Sequence, residues 1–126
     1  MEFKIDTKPS YSHITPVTNH LNANLTAALH QKCRELAESG STNYIIDLHN
    51  CLDADNASFE DLAGLHEHCY TNEQSLVFTA VNDAVMKELK AAELDTVINI
   101  APTTIEAIDI VSMEILERDL FKEDEP

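Results

Sequence analysis

The chain has 126 residues, of which 44% are hydrophobic, and its 23 acidic and 8 basic residues give a formal net charge of −15 at pH 7. A domain of this length buries a core without the support of metals or disulfides. The acidic balance argues against binding to nucleic acid or to an anionic membrane, because both are recognised by clustered basic side chains. We therefore expect one domain, and its charge indicates either a protein partner or a surface that keeps the molecule apart from its neighbours.

The first third of the sequence predicts two strands and a helix. Residues 3–6 alternate apolar and polar side chains, Pro9 interrupts the pattern, and residues 11–17 resume it. Such a pattern favours an antiparallel strand pair. A helix is predicted over residues 24–39, because apolar side chains recur there at helical spacing and Gly40 offers a favoured left-handed end.

Residues 43–64 join a short apolar run to an amphipathic run through a polar turn. The run that begins at Tyr44 is β-favouring and continuous, as is typical of a strand buried on both faces. Apolar side chains then recur at helical spacing from Phe59 to Cys69, and we predict that Leu62 lies in this buried stripe. The turn between the two runs is rich in side-chain oxygens that accept hydrogen bonds at a helix start.

The second half of the sequence repeats this alternation. Residues 75–81 and 97–100 predict two further strands, and Asn82 is suited to capping the helix between them. Thr103 and Glu106 form a capping box before a long last helix. The predicted buried stripes of these two helices are Val85, Met86, Leu89 and Ala92, and then Ile105, Ile108, Val111, Ser112 and Ile115.

The element order β-β-α-β-α-β-α-β-α predicts a single α/β domain over residues 1–121, followed by an acidic tail over residues 122–126. Strands that are joined by helices lie parallel in such sheets, so the predicted sheet is mixed, with an antiparallel first pair and covering helices. The three cysteines are odd in number and show no paired spacing, which indicates reduced thiols in the core.

The central stretch resembles the STAS domain of bacterial anti-sigma-factor antagonists. In that family a strand ending in Asp-Leu leads to an Asp-Ser-Ser-Gly motif and then to an amphipathic helix. Here the strand that ends in Asp47 and Leu48 leads, at the same spacing, to residues 55–58, which read Asp-Asn-Ala-Ser and which we call the switch segment. The resemblance implies a STAS-like fold for the whole chain.

The switch segment keeps the family's Asp as Asp55 and changes the other three positions. The first Ser, which a partner kinase phosphorylates in switchable members of the family, is Asn56 here and has no hydroxyl to modify. The second Ser is Ala57, and the Gly is Ser58. Two interpretations stay open: Asn56 is a helix cap in a diverged domain, or the segment is a partner surface fixed in its unphosphorylated form. Ser58 is a candidate substitute acceptor.

The resemblance implies a non-catalytic regulatory domain that binds an anti-sigma factor or a related kinase-like protein. Carried over from positions around the family's motif, the expected partner-binding surface comprises Asn22, Asp55, Asn56, Ala57, Ser58, Glu60 and Asp61. The alternative is a scaffold subunit of a multiprotein sensory or transport assembly, and a third reading is a small-molecule sensor. The sequence leaves homo-oligomer formation open.

Other kinds of site find little support in the sequence. With only Gly40 and Gly64, the chain has neither a phosphate-binding loop nor a dinucleotide fingerprint. In the run His-Glu-His-Cys only His66 and Cys69 share a helix face, which is too few ligands for a metal. No nucleophile is paired with a general base, so we expect no catalysis and no cofactor. The absence of a signal peptide or a membrane-spanning run predicts a cytoplasmic protein.

Overall fold

The computed structural model describes residues 2–123. The strands are β1 (Phe3–Thr7), β2 (Ser12–Pro16), β3 (His20–Leu21), β4 (Tyr44–Asp47), β5 (Asp53–Ala54), β6 (Leu76–Thr79) and β7 (Ile100–Ala101). The helices are α1 (Ala23–Glu38), α2 (Phe59–Thr71), α3 (Asp83–Ala91) and α4 (Thr104–Glu123). Two single turns of 3-10 helix lie at Asn56–Ser58 and Leu94–Thr96.

Five strands form one mixed sheet in the order β1-β2-β4-β6-β7. β1 and β2 pair antiparallel, and every other neighbouring pair in this sheet is parallel. This arrangement confirms the predicted α/β domain with an antiparallel first pair. Because β2, β4 and β6 run in the same direction, the loops after them meet at one edge of the sheet, which we call the carboxyl edge.

The two faces of the sheet carry separate cores. Tyr44 and Ile46 of β4 belong to the core that also contains the buried side chains of α1, α2 and α3, whereas Ile45 packs with Ala107 and Val111 of α4. Successive residues of a strand point to opposite faces, which explains why the apolar run of β4 is continuous. The helices therefore lie three on one face and one on the other.

Helix caps fix where the helices begin and end. The Asn22 side-chain oxygen accepts a hydrogen bond from the Leu25 N–H (3.0 Å), and Asn82 does the same for Val85 (2.8 Å). The Glu106 N–H donates to the Thr103 hydroxyl oxygen (3.2 Å), as the predicted capping box requires. The cap by Asn82 confirms the predicted start of α3.

After α1, Gly40 adopts φ +99°, a left-handed conformation that is strained for other residues.

A second, two-stranded sheet was absent from the sequence-based prediction. β3 and β5 pair in parallel, with His20 opposite Asp53 and Leu21 opposite Ala54. The prediction treated residues 53 and 54 as part of a polar turn, and this was wrong. The pairing joins segments more than thirty residues apart, so no local pattern in either segment reveals it.

The predicted last strand was misplaced. β7 consists of Ile100 and Ala101, whereas Val97 is exposed at the end of a 3-10 turn and its N–H donates to the Leu94 carbonyl (2.9 Å). That bond closes the turn and keeps Val97 out of the sheet. Ala92 is also exposed, because it is the residue that ends α3 and not part of its buried face.

The predicted inner stripe of α4 was correct in its middle and wrong at two positions. Val111 is buried, and Ile108 and Ile115 are partly buried against it, but Ser112 and Ile105 are exposed. The helix is rotated so that residues at the spacing of Ala107 and Val111 meet the sheet. α4 continues to Glu123, two residues into the segment predicted as a tail, and residues 124–126 lie outside the described part of the chain.

The three cysteines are free and buried, which confirms the prediction of core thiols. Burial raises the pKa of Cys51 to about 11 and that of Cys69 to about 12. The pKa of Cys33 is raised as well, by burial and by the neighbouring Cys69. These thiols therefore stay protonated at neutral pH. Within residues 2–123, no helix has both the length and the apolar character that a membrane crossing requires.

Candidate protein-binding site

The switch segment lies at the carboxyl edge of the sheet, between β5 and α2. A carboxylate oxygen of Asp55 accepts a hydrogen bond from the Ala57 N–H (3.1 Å), so Asp55 caps the 3-10 turn that leads into α2. Asn56 is the first residue of that turn and its side chain is exposed. The interpretation of Asn56 as the helix cap is therefore wrong, since Asp55 caps the 3-10 turn and α2 follows Ser58 without a side-chain cap.

Ser58 is fully buried, unlike its neighbours in the switch segment. Its hydroxyl donates to the Asp55 carbonyl oxygen (2.6 Å) and closes the turn. A kinase needs an exposed hydroxyl, so Ser58 can accept a phosphoryl group only if this turn opens. The exposed part of the switch segment consists of Asp55, Asn56 and Ala57.

Asn22 and Asp55 are brought together as the sequence predicted. Both line a surface cleft of about 370 Å³, together with the residues of β3 and β5. The Asp55 N–H donates to the Leu21 carbonyl oxygen (2.8 Å), which extends the β3–β5 pairing into the switch segment. The pairing therefore joins the cleft and the switch segment in one surface.

Glu60 and Asp61 lie in the first turn of α2, where acidic side chains complement the helix dipole by about 0.3–1 kcal/mol each. The Thr26 hydroxyl donates to an Asp61 carboxylate oxygen (3.1 Å), which ties α2 to α1. Glu60 is exposed beside the switch segment. Of the two acids, Asp61 joins two helices, whereas Glu60 is solvent-exposed.

His20 lies in the same surface and was missed by sequence reasoning. Its Nδ1 lies 2.6 Å from a carboxylate oxygen of Asp53, and both side chains are exposed. The two residues face each other because β3 pairs with β5. No motif in the sequence links them, so only the strand pairing could have identified His20 as part of this surface.

The loop that precedes the switch segment is held by side-chain amides. The Asn82 side chain donates to the Cys51 carbonyl oxygen (3.1 Å) while its own oxygen caps α3. The Asn50 side chain donates to the Pro16 carbonyl oxygen (3.0 Å) on the other side. These bonds tie the loop to the ends of two neighbouring elements, and preorganisation of this kind lowers the entropic cost of binding a partner.

Asp47, at the end of β4, is a buried carboxylate with several hydrogen-bond donors. One oxygen accepts from the His49 N–H (3.0 Å) and lies 2.8 Å from His49 Nδ1, and the other lies 3.2 Å from His13 Nε2. Burial raises the pKa of Asp47, but the hydrogen bonds from His49 and His13 outweigh this effect and hold the pKa below its usual range. The ionised carboxylate of Asp47 thus holds His49 and His13 together at the carboxyl edge.

No family model and no curated protein matches the chain. Solved structures do match it. An anti-sigma factor antagonist from Mycobacterium paratuberculosis superposes with a TM-score of 0.72 at 17% identity, over 88% of this chain and 93% of that one. RsbS from Moorella thermoacetica gives a TM-score of 0.72 at 15% identity, over 94% of this chain and 99% of that one.

The chain has the STAS fold. The same fold recurs inside a larger protein, a murine anion transporter of the solute carrier 26 family, with a TM-score of 0.65 at 14% identity, over 82% of this chain and 18% of that one. Both the mixed sheet and the placement of the helices agree with the fold that the sequence resemblance implied.

The His-Glu-His-Cys run, which the sequence analysis considered as a possible metal site, lies on α2. The Cys69 side chain is buried in the core, and the His66 ring stacks on Tyr70 with centroids 4.5 Å apart. Among residues 2–123, no three side chains of histidine, cysteine, aspartate or glutamate are grouped as metal ligands. The two residues thus serve packing in the described structure.

Proposed function

We propose that the chain is a non-catalytic regulatory domain of the bacterial cytoplasm that binds an anti-sigma factor or a related kinase-like regulator through the switch segment. The observation that carries the proposal is the exposure of Asn56 at the tip of a turn whose backbone is fixed on both sides. The rest of the proposed surface is Asn22, Asp55, Ala57, Ser58, Glu60 and Asp61, in which Ser58 acts by closing the turn.

The charges of the surface indicate the chemistry of the partner. Asp53, Asp55 and Glu60 are exposed around the switch segment. A partner face with basic side chains would complement them, and such complementarity raises association rates and selects partners. The overall charge of −15 acts in the same direction.

The absence of a hydroxyl at position 56 suggests permanent competence for binding. In the family that the sequence resembles, the unphosphorylated antagonist captures the anti-sigma factor, and phosphorylation ends the capture. Asn56 is neutral and cannot be phosphorylated, and the Ser58 hydroxyl is enclosed. The proposed domain therefore binds without being switched off by its partner.

The test begins with affinity capture from the native cytosol and identification of the bound protein by mass spectrometry. Wild type, Asn56→Asp and Ser10→Asp are then titrated calorimetrically against the purified partner. Ser10 is the matched control, because it is exposed in the β1–β2 turn at the opposite edge of the sheet. We expect Asn56→Asp to weaken binding about tenfold, or about 1.4 kcal/mol, and Ser10→Asp to bind as wild type.

Thermal melts show whether a loss of binding is caused by a loss of folding. Asp and Asn are comparable at a helix start, so the fold of Asn56→Asp should survive. Unchanged affinity with an unchanged melt would remove Asn56 from the interface and contradict the proposal. Capture of a protein that is neither a sigma regulator nor kinase-like would do the same.

The alternative is a scaffold subunit of a sensory or transport assembly. It is supported by the likeness to the STAS domain within an anion transporter, where the fold is one module of a much longer chain. A scaffold subunit would be captured with structural components of a larger particle. Its affinity for these components would be the same in wild type and Asn56→Asp. The capture experiment therefore separates the two proposals.

A further inference from the structure

The outward face of α4 carries a row of exposed apolar side chains, Ile105, Met113, Leu116 and Leu120, which we call the outer stripe. Ile105 is 74% exposed and Leu116 is 59% exposed. Their separations of eight, three and four residues place all four on one side of a helix. The buried residues Ala107 and Val111 lie on the opposite side, against the sheet.

The outer stripe has no structural role that the fold explains. α4 packs on the sheet through its other face, and no described element of the chain covers the stripe. Apolar side chains scattered singly on a surface are ordinary, but four of them on one side of a helix mark a surface for interaction. The row extends over fifteen residue steps of α4, or about 22 Å at a rise of 1.5 Å per residue.

Acidic side chains border the outer stripe. Glu106 and Glu117 lie along one side, Asp119 lies along the other, and Asp109 interrupts the row, and all four are exposed. The nearby Arg118 does not neutralise them, because its guanidinium donates inward to the Ser75 hydroxyl (3.0 Å) and the Asn43 side-chain oxygen (2.9 Å). The surface therefore combines four exposed apolar side chains with acidic edges, and Asp109 is an acidic residue within the row.

We propose that the outer stripe docks an amphipathic helix of another protein, one whose apolar row is bordered by lysine and arginine. Basic borders would complement Glu106, Glu117 and Asp119, and an apolar row of about four turns would match the length of the stripe. A second copy of this chain is a poor occupant, because it would place acidic borders against acidic borders. An anionic membrane is disfavoured for the same reason.

The docked helix is distinct from the partner of the switch segment. The switch segment precedes α2, which covers one face of the sheet, whereas the outer stripe lies beyond α4 on the other face. Two proteins can therefore be bound together, and the domain would link a basic helical segment to the protein that reads the switch segment.

A synthetic labelled peptide of about 18 residues, with leucines on one helical face and lysines on both borders, is the probe. Its affinity for the full chain is measured by fluorescence anisotropy, beside a scrambled peptide of equal composition and one with glutamate borders. We expect the amphipathic lysine peptide to bind at least about tenfold more tightly than either. Equal binding of the scrambled peptide would overturn the proposal, since it would reduce the interaction to net charge.

Matched double variants locate the binding face. Leu116→Ser with Leu120→Ser should weaken binding at least about tenfold, whereas Leu52→Ser with Val97→Ser, which changes two exposed apolar residues elsewhere, should bind like wild type. Circular dichroism confirms that both variants are folded. Equal effects of the two variants would overturn the assignment.

Further measurements test the acidic borders, the independence from the switch segment and self-association. Glu106→Gln with Glu117→Gln should weaken binding and reduce its salt dependence, if the borders act as inferred. Asn56→Asp should leave the peptide affinity unchanged, which keeps this test separate from that of the switch segment. A dimer in sedimentation velocity that dissociates on Leu116→Ser would overturn the proposal, because the face would then belong to a second copy.

Discussion

Leu62 offers a stringent test of the core around the site. It lies on α2, is fully buried, and belongs to the core shared by α1, α2 and the sheet. Leu62→Ala removes three carbon groups, whose transfer from water is worth about 2.4 kcal/mol at about 0.8 kcal/mol each. The cavity left behind adds to this, so the loss should fall at about 3–4 kcal/mol, inside the range observed for buried leucines.

The assay is thermal and chemical unfolding of wild type, Leu62→Ala and Leu52→Ala, followed by circular dichroism. For a domain of this size, a loss of 3–4 kcal/mol lowers Tm by about 10–15 °C. Leu52 is 60% exposed at the surface, so Leu52→Ala is a matched control that should change Tm by about 1–2 °C. A shift of Leu62→Ala no larger than that of Leu52→Ala would refute the placement of this face of α2 against the sheet.

Three further outcomes are expected. Asp47 stabilises the fold while it is ionised, because its pKa in the folded protein is held below the ordinary value of 3.8. This contribution to stability is present above pH 3.8 and is lost as the pH falls through the lower folded-state pKa. The variant Asp47→Asn should therefore show a flatter pH dependence of stability on the acid side. The thiols of Cys33, Cys51 and Cys69 are buried with raised pKa values, so Ellman's reagent at pH 8 should react slowly with native protein and rapidly in guanidinium. Incubation with a kinase-like partner and ATP should leave the switch segment unmodified by mass spectrometry, and stoichiometric phosphate on Ser58 would contradict its enclosure.

The order of the elements could be predicted because it is written in local patterns. The continuous apolar run of β4 predicts a strand buried on both faces, and Asn82 and Thr103 mark helix starts through their side-chain oxygens. These signals involve residues within a few positions of each other. The mixed sheet then follows from which strands are joined by helices.

The site was predictable only in part. Its position after β4 followed from the spacing of the motif, and Asn22 and Asp55 do share one cleft. The roles within the switch segment did not follow, since the sequence left open whether Asn56 is a cap, and the structure shows Asp55 capping the turn. Several side chains there can accept the same N–H, and the backbone conformation of the turn selects among them.

Tertiary structure decided the positions that local patterns leave ambiguous. The parallel pairing of β3 with β5 joins His20 to Asp53 across 33 positions, and a helical pattern cannot say that α4 turns Ile105 outward. Sequence periodicity fixes which residues share a face, but the direction of that face depends on what packs against it. In α4 both faces are apolar, so only contact with the sheet distinguishes the core side from the outer stripe.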